Sequence, residues 1–452
     1  MRDQPFLDAV NERIVVFDGA FGTFIQGLDL TADDFGGPEL EGCNEMVCLS
    51  RPDVIAAMHD DFFAVGVDVV ETASFGSFST VLKEYGIADR AHELNVASAR
   101  IAKEVASGWA QDGRPRYVAG SIGPGTKLPS LGHIGFEELR DAYEEQAQGL
   151  LEGGVDLFVI ETCMDLLQAK AAMVACRRAM KALGRPVPLQ VQVTIETTGR
   201  MLVGSEIGAG LTSLLAMKPD VLGINCATGP AEMQEHLRYL SRHSPVPISV
   251  LPNAGLPSVV DGRTHYDLTE AELARFHSHH VADLGIGIVG GCCGTTPAHL
   301  AAVVEAVKDL EPARRSPSYE PSVTSIYAPV TIAQDLSFLI IGERTNANGS
   351  KAFREAMLVE DWDGCTRMAT EQIREGAHVL DVCVDYVGRD GARDMDEIAR
   401  RFATQASVPL VIDSTTAARW AGVVPQQPPT IPTPRSATWW EWKRASSASV
   451  RS

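Results

Sequence analysis

The sequence predicts an α/β fold: a (β/α)8 TIM barrel followed by an incomplete second (β/α) barrel. Three observations carry this expectation. Short β-type runs alternate with longer helical stretches from the start of the chain. Eight such units occupy about 310 residues, which suits a barrel of roughly 250 residues plus insertions. The alternation then resumes after a proline-rich break and stops early.

Taken in order, the strand candidates are residues 13–18, 67–74, 116–121, 156–161, 189–194, 220–226, 247–252 and 285–290. Between them, stretches such as Phe136–Gly153 and Leu166–Leu183 repeat apolar residues at three- and four-residue spacing, the period of an amphipathic helix. A doubly wound open sheet shares this alternation and stays the alternative. No GxGxxG follows the first strand, which counts against dinucleotide binding. Residues 311–335 contain four prolines and several serines without helical periodicity, and read as a linker. A second series follows: a strand at 336–342, a helix at 353–375, a strand at 378–385, a helix at 394–406 and a strand at 409–413. The expected units are thus a barrel over 1–310, the linker, and a truncated barrel start over 336–415. Residues 416–452 hold four of the six tryptophans, five prolines and a single acidic residue, and keep neither period. They read as an aberrant tail, from a frameshift or an artificial end of the reading frame, or else as natural disorder.

The chain has 452 residues and a formal net charge of −20. A nucleic-acid partner is not expected, because phosphate binding needs a basic excess. Neither a run of 18 apolar residues nor a signal-peptide core occurs, so no membrane partner is expected and a cytoplasmic location is. In that compartment the nine cysteines serve metal, catalysis or packing rather than disulfides.

The densest signal is Gly290-Gly291-Cys292-Cys293-Gly294-Thr295, placed between an apolar run and a helix start. Cys226 ends a second apolar run, 221–226. Three cysteines at the ends of strands six and eight can converge at the C-terminal mouth of a barrel. There they would bind one zinc ion and leave a position open. Buried apolar cysteines, or a vicinal disulfide, are the simpler readings of a lone Cys-Cys pair. The flanking glycines and the third strand-end cysteine favour a metal. Three thiolates leave Zn²⁺ a poor Lewis acid for water but a good holder of an incoming thiolate, so thiol alkylation is the natural reaction class. The other six cysteines show no convergence and read as packing residues.

Asp18, with Gly19 and Ala20, ends the first strand, where a carboxylate beside small residues can hold an ammonium group. Alone, the motif reads as an ordinary turn. Glu161 and Thr72 also sit at strand ends, which in barrels border the site, though either also suits a solvated turn. Asn253 lies between the two cysteine strands and can bring its amide oxygen to the metal, though without the cysteines beside it an asparagine-glycine-type turn would be the simpler reading. The 121–125 turn carries a weak signal. His277, His279 and His280 lie mid-helix and read as a solvated helix face rather than a metal cluster.

At these residues the chain resembles the homocysteine S-methyltransferase family. The shared segments over about residues 10–310 are DGAFGT, ETASFG, SIGPGTKLPSLG, ETCMD, GINCATGP, PNAG and GGCCGTTPAHL. IGERTNANGS, VLDVCVDYVGRDG and VIDST, over 336–415, resemble the start of the pteridine-binding barrel of cobalamin-dependent methionine synthases. The resemblance implies zinc on Cys226, Cys292 and Cys293, with Asn253 as an oxygen ligand that yields to homocysteine. It implies that Asp18, Thr72 and Glu161 hold the amino acid, and that Thr345, Asn346, Asp381 and Asp413 lie near a pterin. The implied reaction is methyl transfer from 5-methyltetrahydrofolate through methylcobalamin to L-homocysteine. Ala73 and the Gly125-Thr126 order depart slightly from the family pattern, and no DxHxxG cobalamin signature occurs in the chain. A chain of this composition is expected to activate homocysteine without turning over the folate. The alternatives are a stand-alone homocysteine methyltransferase with another small donor, or a non-catalytic remnant.

Overall fold

The structure is a computed structural model that describes residues 4–109, 113–260, 263–334 and 336–415. The tail read from the sequence at 416–452 lies outside the described residues. Eight parallel strands make one sheet: β1 (Val15–Val16), β2 (Val69–Glu71), β3 (Tyr117–Ile122), β4 (Leu157–Cys163), β5 (Leu189–Val193), β6 (Val221–Asn225), β7 (Ile248–Leu251) and, after an inserted hairpin of β8 (Pro257–Val260) and β9 (Arg263–Tyr266), β10 (Ile288–Val289). The order β1-β10-β7-β6-β5-β4-β3-β2 sets the first strand beside the last.

The sheet also closes on itself. Phe17 and Val69 form a parallel bridge. The Asp18 N–H donates to the Val69 carbonyl at 3.0 Å, and the Asp68 N–H to the Val16 carbonyl at 2.8 Å. An open doubly wound sheet would leave β1 and β2 unpaired, so that alternative is excluded. Most strands are shorter than the sequence runs because their ends turn into loops, while β3 and β4 keep or exceed the expected length and helices Phe136–Gly153 and Leu166–Leu183 keep the expected bounds.

Two layers of side chains explain the pattern of apolar runs. Val15, Phe17, Val69, Ala119, Leu157, Val159 and Ile288 fill the barrel interior. The helix Phe6–Glu12 plugs its floor, with the Phe6 ring edge-on to Phe17 and Tyr117 at 6.3 and 5.6 Å. Alternate strand residues, among them Val70, Val118, Phe158 and Val191, face the surrounding helices. Burying a side chain of this size contributes about 1.5–3 kcal/mol. Strands buried on both faces read as nearly continuous apolar runs, as these do. No helix among the described residues is long and apolar enough to cross a membrane.

The segment read as linker carries a short antiparallel hairpin, β11 (Ser322–Thr324) and β12 (Pro329–Thr331). It rests on helix Ile207–Leu215, with the Glu206 N–H donating to the Tyr327 carbonyl at 2.8 Å. A three-stranded parallel sheet follows: β13 (Ile341–Gly342), β14 (Val379–Val382) and β15 (Leu410–Ile412). The single helix expected at 353–375 is two, Lys351–Leu358 and Trp362–Arg374. Glu360 adopts a left-handed φ of 59° between them, and the Asp361 carboxylate caps the second by accepting from the Gly364 N–H at 2.8 Å. With helix Gly391–Gln405 these elements bury their own apolar cluster, centred on Phe353, Met357, Leu380, Met395 and Phe402.

Gly223 of β6 illustrates how tightly the interior is filled. A Cβ there would lie 2.0 Å from Ser249 Oγ and 2.3 Å from its carbonyl, and that hydroxyl already accepts from Gln192 at 2.9 Å. Gly223→Ala is expected to destabilise the protein by about 1–3 kcal/mol. Urea unfolding checks this, and an unchanged midpoint would contradict it.

Candidate active site at the barrel mouth

Three thiols meet at the C-terminal ends of β6 and β10. The Sγ atoms of Cys226, Cys292 and Cys293 lie within 4.8 Å of one another, the only such potential metal-binding group among the described residues. Cys226 and Cys293 are 3.8 Å apart. Backbone bonds set this geometry. The Cys292 N–H donates to the Pro252 carbonyl at 2.8 Å, the Ala254 N–H to the Cys293 carbonyl at 2.9 Å, and the Thr295 hydroxyl to the Cys292 carbonyl at 2.6 Å. Gly294 turns the chain at a φ of 79°, where a Cβ would meet the Tyr266 ring at 2.3 Å. Cys226 and Ala227 both sit in the left-handed region, at 58° and 57°. All nine cysteines are free thiols, and the six outside this cluster are buried. Thiol protons from Cys226 and Cys292, helped by the Tyr266 hydroxyl, pull Cys293 down to about 3 against its burial. The same bonds to Cys226 and Cys293 hold Cys292 well above its ordinary range. One thiol held low beside two held high makes a donor set suited to a soft cation.

Next to the sulfurs lies a pocket of carboxylates. Both oxygens of the buried Asp18 accept from the Glu71 N–H, at 3.2 and 3.0 Å. Glu161 accepts from the Ser121 hydroxyl at 2.6 Å and from the Asn225 amide at 3.1 Å. Asn225 also approaches Cys292 Sγ at 3.9 Å and so joins the two clusters. Glu71 lies beside Glu161 and keeps one buried oxygen without a hydrogen-bond partner. Burial raises all three acids: Asp18 and Glu71 well above the carboxylate range, with the Glu161 charge adding to both, and Glu161 to about 7. Three buried acids crowded together favour a cation, such as an ammonium group, between them.

Thr72, Gly19, Ala20 and Asn253 stand differently. The Thr72 hydroxyl accepts from the Ser121 N–H at 2.9 Å and shares a proton with Ser74 at 2.6 Å, so it fastens β2 to β3. Gly19 lets the first loop approach the cysteine turn, since a Cβ there would lie 2.4 Å from Thr295 Oγ1. Ala20 precedes the short helix Phe21–Gln26. The Asn253 amide oxygen sits beside the cluster and accepts from the Cys293 N–H at 3.2 Å.

In the second sheet, Asn346 donates to Asp381 at 2.8 Å and to Asp413 at 3.3 Å, which gathers three strand ends. Thr345 is buried, and its hydroxyl donates to the Asp381 carbonyl at 2.7 Å. Asp385, not singled out in the sequence, joins this end by accepting from the Thr415 N–H at 2.8 Å.

Residues 15–307 match the homocysteine S-methyltransferase family. The chain belongs to this family. Residues 342–421 match the pterin binding enzyme family. The methionine synthase of Mycobacterium tuberculosis (strain ATCC 25618 / H37Rv) is 52% identical over 422 residues, 93% of this chain and 35% of that protein. The methionine synthase of Mycobacterium leprae (strain TN) is 50% identical over 418 residues, 91% and 34%. The chain thus spans about a third of the length of the curated relatives it matches. The metallated form of the homocysteine methyltransferase MmuM from Escherichia coli shares the barrel fold at a TM-score of 0.51 and 21% identity, over 66% of this chain and 99% of that one.

Glu71, Asn225 and Tyr266 border these clusters and were not singled out in the sequence, and Ser121 carried only the weak signal of the 121–125 turn. Glu71 obeys the same strand-end rule that flags Glu161. Asn225 and Tyr266 carry no signal until β6 and the β8–β9 hairpin are placed. The histidines depart from expectation, because His277 and His280 are fully buried rather than on a solvated face.

The acid pocket predicts a pH effect. The folded pKa of Glu161 lies above its unfolded value, so the stability it contributes is present below about 4.5 and lost as pH rises through about 7. Glu161→Gln removes that loss. Thermal melts of the ligand-free protein should show the variant gaining more at about pH 8 than at about pH 5. Equal shifts at both would contradict the reading.

Proposed function

We propose that this chain is the homocysteine-activating part of a methionine synthase, with a zinc barrel over 1–310 and the start of a folate-binding barrel over 336–415. The observation that carries the reading is the triangle of three sulfurs within 4.8 Å, open at the barrel mouth and flanked by buried carboxylates. Zinc suits this donor set, since catalytic zinc keeps three protein ligands and one exchangeable position. Bound there, the ion would keep an incoming homocysteine sulfur as a thiolate at neutral pH. Cys226, Cys292 and Cys293 are the ligands, and the Asn253 amide oxygen is the group that gives way to substrate.

The remaining work falls to the carboxylate pocket. Asp18 and Glu161 take the substrate ammonium group, and Glu71 keeps its proton until that cation arrives. Ser121 and Asn225 hold Glu161 in place by the two hydrogen bonds described above. The homocysteine sulfur then attacks the donor's methyl carbon. The new sulfur–carbon bond forms as the donor–methyl bond breaks, and the electron pair stays with the donor. Methionine leaves as a thioether that no longer carries a charge on sulfur.

The match to pterin binding enzymes supports 5-methyltetrahydrofolate as the parent donor; the relay through methylcobalamin rests on the sequence resemblance alone. Asn346, Asp381 and Asp413 are the hydrogen-bonding candidates for the pterin, and Thr345 holds Asp381 from behind.

Two outcomes test this. Metal analysis should find about one zinc per chain, lost in Cys292→Ala, with protons released as zinc is added. A chain without zinc would overturn the reading. The zinc-loaded chain should convert homocysteine to methionine with methylcobalamin supplied in solution. Glu161→Ala should raise the homocysteine KM by about 10-fold or more, the worth of a charged hydrogen bond.

A further inference from the structure

Helix Glu270–Ala282 runs behind the cysteine turn, and it buries two histidines that the reading above does not use. His277 Nε2 lies 2.8 Å from the Gly290 carbonyl oxygen. His277 Nδ1 lies 3.4 Å from His280 Nδ1, and His280 Nε2 lies 2.9 Å from the Gln234 amide nitrogen. His279, between them in sequence, is exposed and pairs with Asp283 instead.

Only one arrangement of protons satisfies this chain. A carbonyl oxygen can only accept, so His277 Nε2 carries hydrogen. A neutral His277 then presents a lone pair at Nδ1, and His280 must offer Nδ1–H to it. That leaves His280 Nε2 as an acceptor, which requires an N–H from Gln234. The amide nitrogen of Gln234 occupies that place, and its oxygen has no hydrogen-bond partner among the described residues. Burial favours the neutral form of both rings, as the chain needs.

The chain ends on a peptide that matters. The Gly290 carbonyl and the Gly291 N–H belong to one peptide plane. The carbonyl accepts from His277, and the N–H donates to the Asp18 carbonyl at 3.1 Å. Gly290 has no room to shift, because a Cβ would lie 2.7 Å from both Phe17 and Leu251. Cys292 follows Gly291 directly. We propose that His277 is a positioning residue for the thiol cluster, locked in one tautomer by His280 and Gln234, and that it sets the plane from which the Cys292-Cys293 turn departs. Its effect on metal rests on the zinc reading; the tautomer chain does not.

Two measurements on the full chain separate these. In ¹⁵N-labelled protein, ring-nitrogen correlations should show His277 as the Nε2–H tautomer and His280 as the Nδ1–H tautomer. Either ring in the opposite tautomer overturns the proposal. In cobalt titrations, His277→Phe should weaken binding by about 10-fold or more and shift the thiolate-to-cobalt charge-transfer band. His277→Gln, which can still donate to Gly290, should recover most of both. Wild-type affinity and spectrum in His277→Phe would overturn the proposal. If His277→Phe fails to fold, Gln234→Met serves at the far end: mixed His280 tautomers and a smaller loss of affinity support the chain, and unchanged tautomers overturn it. A wild-type chain that binds no cobalt refutes the metal reading while the ring tautomers still judge the relay.

Discussion

Asp18 is the point on which the barrel mouth depends. Its N–H donates to Val69 and closes the sheet between β1 and β2. Its carboxylate accepts from the Glu71 N–H, and its carbonyl accepts from Gly291 at the root of the cysteine turn. One residue therefore ties the first strand, the second strand and the last loop together. Ring closure and site assembly are the same event here, because parallel pairing of β1 with both neighbours brings residues from the two ends of the barrel within hydrogen-bonding distance. A loop that joined only one neighbour would leave the sulfurs without a fixed frame.

Two kinds of acid share the mouth. Carboxylates and thiols both gain protons when crowded and buried, and both release them to a cation of matching hardness. Asn225 stands between the groups, with its amide donating toward Glu161 and Cys292 and its oxygen accepting from the Thr162 N–H at 2.7 Å. The mouth is thus divided by chemistry rather than by a wall, with carboxylate oxygens on one side of Asn225 and thiols on the other. Crowding these buried acids together costs folding stability, a trade expected where activity and stability compete.

Much of this was legible in the sequence, and the reason is periodicity. The two-sided burial of the strands and the helices Phe136–Gly153 and Leu166–Leu183 follow from spacing alone. The cysteines and Glu161 were legible because strand ends define a barrel mouth. What escaped depends on contacts far apart in the chain. Spacing could not say that His277 and His280 point inward, since the helix carries polar groups on more than one side. Nor could it show that Thr72 spends its hydroxyl on β3. The break at Glu360 is a left-handed residue without glycine's usual signal.

The left-handed pair Cys226–Ala227 has a consequence for the order of assembly. Non-glycine residues cost about 1–2 kcal/mol each in that conformation. The turn is therefore held by what surrounds it, chiefly the Cys226 N–H on Leu251 and the Thr228 N–H on the Cys226 carbonyl. Cys226 and Cys293 are also 67 residues apart, on β6 and after β10, with the inserted hairpin between them. A folding chain cannot present the three sulfurs together until its last strand has docked. Metal capture at this turn would come late, as the step that distinguishes a finished barrel from one still open.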